Sequence, residues 1–119
     1  MNGYRDERLK RIRSELQSAY TLLEQIESSG TLAEKKLDLW RARCRLELAI
    51  LLIKISSGID YEDRRVRYTA EGGLRNTLAK AREFVADALD SIQSTDAFEV
   101  LEKVRKARDL LWMLEAKSF

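Results

Sequence analysis

With 119 residues the chain has the length of one domain, enough to bury roughly two thirds of its unfolded surface. Charged residues make up 35% and hydrophobic ones 45%, with no Pro, which excludes a disordered chain and favours a helical one. The formal charge of +2 is too small to specify a nucleic-acid or membrane partner, and the absence of His removes the commonest general base and metal ligand.

From about residue 4 to residue 28, Leu9, Ile12, Leu16, Ala19, Leu23 and Ile26 recur at alternating spacings of three and four, which aligns them in one stripe on a first helix. Gly30 can take the left-handed conformation that closes a helix, and Thr31 with Glu34 reads as the capping box of a second, over 32–57, ending at Gly58. So short a link implies an antiparallel hairpin.

The second helix is apolar on more than one side. Eight of the ten residues from Leu46 to Ile55 are apolar and point in all directions around the axis. One stripe, Leu37, Trp40, Cys44, Leu48, Leu51 and Ile55, is expected to face the core. The other holds Leu39, Ala42, Leu46, Ile50 and Ile53 on the opposite side, so Leu39, Leu46, Ile50 and Ile53 are the expected oligomer interface, unless other helices of the same chain wrap them. Cys44 is the only cysteine, so no disulfide forms within the chain. On an inward stripe it is expected to react slowly. A charged start from Met1 to Arg8 and the lack of a long apolar run point to a cytoplasmic protein with no membrane partner.

Residues 58–73 are less regular. Asp60 suits a cap, and Tyr61 and Tyr68 share helical spacing, but Gly72 and Gly73 interrupt the pattern, so the third helix is expected to begin at 60 or at 74 and to end near 93. Its stripe is Leu78, Ala81, Val85, Ala88 and Ile92. Asp96 with Glu99 opens a fourth helix, 96–117, with the stripe Val100, Val104, Ala107, Leu111 and Leu114. The expected fold class is all-α, an antiparallel four-helix bundle made of two long helical hairpins in one domain over 1–119.

Catalytic chemistry has little to work with. Cys44 has no base, and the carboxylate pairs Glu24/Glu27, Asp87/Asp90 and Glu99/Glu102 have the three-residue spacing of helical magnesium sites but are not expected to converge on one ion. No catalytic residue, cofactor or metal is therefore expected, and a magnesium-dependent nucleotide hydrolase is a remote reading. A second surface deserves comparison. Arg64, Arg65, Arg67, Tyr68 and Arg75 combine guanidinium groups with an aromatic ring, as phosphate gripping and base stacking require, while Asp60, Glu62, Asp63 and Glu71 lie among them and can neutralise them. The leading expectation is a non-catalytic helical interaction module that self-associates as a homodimer or docks on a helical protein partner. An RNA- or DNA-binding accessory protein is the alternative.

Overall fold

A computed structural model describes residues 2–28, 32–58, 73–92 and 96–116. They form four α-helices, α1 (Asn2–Ser28), α2 (Leu32–Ser57), α3 (Gly73–Ser91) and α4 (Ala97–Ala116), with no strand among them. The local chemistry explains several ends. Gly58 follows α2 at φ +63°, the left-handed conformation that an L side chain resists. Asp96 caps α4: its carboxylate accepts from the Phe98 N–H at 3.1 Å and its carbonyl from the Glu99 N–H at 3.0 Å. At the start of α3 the Thr77 hydroxyl donates to the Gly73 carbonyl at 2.8 Å. Thr31 and the stretch 60–72, where the earlier start for the third helix was expected, lie outside the described residues.

Pairing follows from side-chain partners. Arg43 and Glu47 on α2 meet Glu115 and Arg108 on α4, so the two helices run in opposite directions. On α3 and α4, Ser91 meets Lys103 and Phe84 meets Lys106, again antiparallel. Glu15 of α1 meets Arg45 of α2 within the first hairpin, and Glu27 of α1 meets Arg82 of α3. The helices therefore stand at the corners of a square in the order α1, α2, α4, α3, each antiparallel to both neighbours. This is an antiparallel four-helix bundle of two hairpins, measuring 47 × 25 × 19 Å. Because α2 and α3 sit on a diagonal and run parallel, α3 begins at the end of the bundle opposite to that where α2 finishes.

One core cluster draws on all four helices. Ile12, Leu16, Ala19, Leu23 and Ile26 of α1, and Leu78, Ala81, Val85 and Ala88 of α3, are buried as their spacing requires. The most enclosed element is α4, with ten buried residues, three of them charged: Arg105, Arg108 and Asp109. Arg108 donates from Nε to Asp109 at 2.9 Å and from Nη1 to Glu47 at 2.7 Å, and Arg105 donates to Glu102 at 2.9 Å. Burial, and then the neighbouring Arg108 guanidinium, lower the pKa of Arg105 from the ordinary arginine value, while Asp109 acts to raise it.

The expected assignment of the two faces of α2 is reversed. Leu39, Leu46, Ile50 and Ile53, expected at an oligomer interface, lie inside the chain with Ala42 and Ala49, all at most 4% exposed. Leu37, Trp40, Leu51 and Ile55, expected in the core, point outward. Shape decides between two stripes of similar apolarity. Ala42 and Ala49 let α1 and α4 approach closely among the larger side chains, whereas Trp40 at such a contact would hold the helices apart. As a corner helix, α2 has only two neighbours and cannot bury both faces.

Candidate interaction surface

The outward face of α2 carries four large apolar side chains in a line: Leu37 is 46% exposed, Trp40 50%, Leu51 52% and Ile55 55%. With the half-buried Cys44 and Leu48 between them, the spacing is 3-4-4-3-4, one helix face over about five turns. Only one other large apolar side chain among the described residues, Phe98, is comparably exposed. Scattered exposed apolar residues are ordinary on any surface, whereas four in register on one helix form a patch.

A groove of about 690 Å³ runs beside this stripe, between α1 and α2. Its α1 wall is Ser14, Gln17, Ser18, Thr21, Leu22 and Gln25, side chains that carry no charge. Its α2 wall is Trp40, Arg41, Cys44, Arg45 and Leu48, so among the described residues the only charged groups lining it are two guanidinium groups. The sequence carries a trace of this groove that periodicity alone does not pick out. From Leu16 to Leu23 no residue is charged, although 35% of the chain is.

Ion pairs hold the stripe in place by tying both flanks of α2 to its neighbours. Toward α1, Arg45 donates to Glu15 at 3.0 Å, and Arg11 stands 3.9 Å from the same carboxylate. Toward α4, Arg43 donates to Glu115 while its guanidinium lies 5.1 Å over the Trp112 ring, and Arg108 holds Glu47. These contacts fix the roll of α2 and so keep its apolar line facing out.

Of the residues expected to bind nucleic acid, Arg64, Arg65, Arg67 and Tyr68 lie outside the described residues. Arg75 is exposed near the start of α3. Among the carboxylates, Glu24, Asp87, Asp90 and Glu99 are exposed, and Glu27 and Glu102 are engaged by Arg82 and Arg105. Among the described residues no group of three or more His, Cys, Asp or Glu side chains is arranged to hold a metal ion, and no helix is long and apolar enough to cross a membrane. No protein-family model, curated protein or solved structure matches the chain.

Proposed function

We propose that this protein is a non-catalytic helical interaction module that assembles, with itself or within a larger complex, through the outward face of α2. The observation that carries this reading is the line of Leu37, Trp40, Leu51 and Ile55, each about half exposed on a helix whose other face already fills the core. Covering the wet half of each side chain would contribute about 1 kcal/mol apiece, a useful increment for an association but a standing cost for a chain that leaves them in water. The lone thiol of Cys44 and the want of any disulfide suit a cytoplasmic setting.

Photo-crosslinking in cells tests the reading. A crosslinking residue replacing Leu51 is expected to capture protein, either a second copy or another chain, whereas one replacing the exposed polar Asn76 on α3 is not. Leu51→Glu should abolish association while leaving helix content intact, and Ile50→Glu, one residue along but inside the core, should unfold the chain. Equal capture from positions 51 and 76, or none from either, would overturn the proposal.

A further inference from the structure

The four helices do not share charge equally. In α1 five basic residues meet five acidic ones, in α3 three meet three, and in α4 four meet four. In α2 six basic residues stand against three acidic. The helix that leaves apolar side chains in water is thus also the one that carries the charge excess. The excess lies beside the stripe: among the α2 residues from Lys35 to Ser57, the exposed charged side chains are Lys36, Arg41 and Arg45, all basic. Of its three acids, Asp38 and Glu47 already face Arg41 and Arg108, at 3.6 Å and 2.7 Å.

We infer that the α1/α2 groove and its neighbouring stripe seat an amphipathic helix of another protein, one whose apolar line is flanked by Asp and Glu. This rests on the interaction-module reading and adds the partner's chemistry. The stripe from Leu37 to Ile55 extends roughly 27 Å at 1.5 Å per residue, the reach of a partner helix of about five turns. Ser14, Ser18 and Thr21 opposite it are short, so a helix lying in the groove can bring its backbone close to α1. Arg41 and Arg45 each meet one acid of this chain, Asp38 and Glu15, but their side chains stay about half exposed and would also face the partner's carboxylates, and among the described residues no acidic group lines the groove to repel them.

A second copy fits less well. An antiparallel two-fold pairing of α2 with α2 sets each flank against the same flank of its twin, so the edge bearing Arg41 and Arg45 would meet the identical edge. A lipid surface also fits less well, because the apolar line is one residue wide and a bilayer cannot enter the groove beside it.

The test uses the full-length protein and two synthetic helical peptides with the same leucine line, one bearing Glu at the flanking positions and the other Lys. Fluorescence anisotropy at low salt is expected to show the Glu peptide binding at least ~10-fold more tightly than the Lys peptide, with the difference shrinking as salt screens the pairs. Arg41→Gln should narrow that preference and Leu51→Glu should abolish binding of both, each with its circular dichroism unchanged. Equal binding of the two peptides would overturn the inference, as would binding to anionic phosphatidylserine vesicles without any peptide preference. So would dimerisation in light scattering with neither peptide bound, an outcome that leaves the interaction module standing. Failure of crosslinking at position 51, by contrast, would remove both.

Discussion

Arg108 is 2% exposed and Asp109 3%, so both charges have left water and depend on partners inside the protein. Arg108 reaches Asp109 on its own helix and Glu47 across on α2, while Asp109 also offsets the like charge of Arg105 beside it. Removing one member strands the others. Asp109→Ala is expected to destabilise the protein by about 3–5 kcal/mol in urea unfolding. The paired change Arg108→Met with Asp109→Leu should cost far less than the single one, because it removes two buried charges together and Glu47, 40% exposed at its side chain, can be solvated. A double variant as unstable as Asp109→Ala would refute this account. None of it was legible in the sequence: a charged residue on a helix reads as solvated unless a partner is known, and Glu47 stands 61 residues from Arg108.

At the level of single elements, helix ends and helix faces were legible to different degrees. The expected limits 32–57 for α2 match Leu32–Ser57, and those of α1 and α4, with the later of the two starts for α3, fall within a few residues of the observed ones, because Gly58 and Asp96 act locally and their chemistry does not depend on the rest of the chain. Which face of α2 turns inward depends on what α1 and α4 present to it, and two apolar stripes on one helix leave that choice open. Cys44 reports on the outcome. Placed on the groove wall and half-buried instead of in the core, it should be modified by a small maleimide in the native state, at a rate that urea raises only modestly. Modification that requires global unfolding would put Cys44, and with it the whole stripe, back inside. A bulky maleimide at the same thiol should block the crosslink from position 51.

Across the whole molecule, the two hairpins were legible because their links are short, but the order of the helices around the square was not, since it depends on partners far apart in the chain. Within hairpins the separations are modest, 30 residues for Glu15 with Arg45 and 12 for Ser91 with Lys103. Between hairpins they are 72 for Arg43 with Glu115 and 55 for Glu27 with Arg82. Closing a longer loop costs more entropy before any contact offsets it, so each hairpin should form first and their docking should be the slow, late step, with the contacts between them made only once its barrier is crossed. Glu115→Gln, which weakens a docking contact, should therefore speed unfolding and leave the folding rate almost unchanged in stopped-flow urea chevrons. A slowed folding arm would mean that the hairpins meet before the barrier. With late docking, the route to the native state passes through two separate helical hairpins whose inner faces, including Leu46 and Leu111, are briefly wet, and the refolding yield should fall as protein concentration rises.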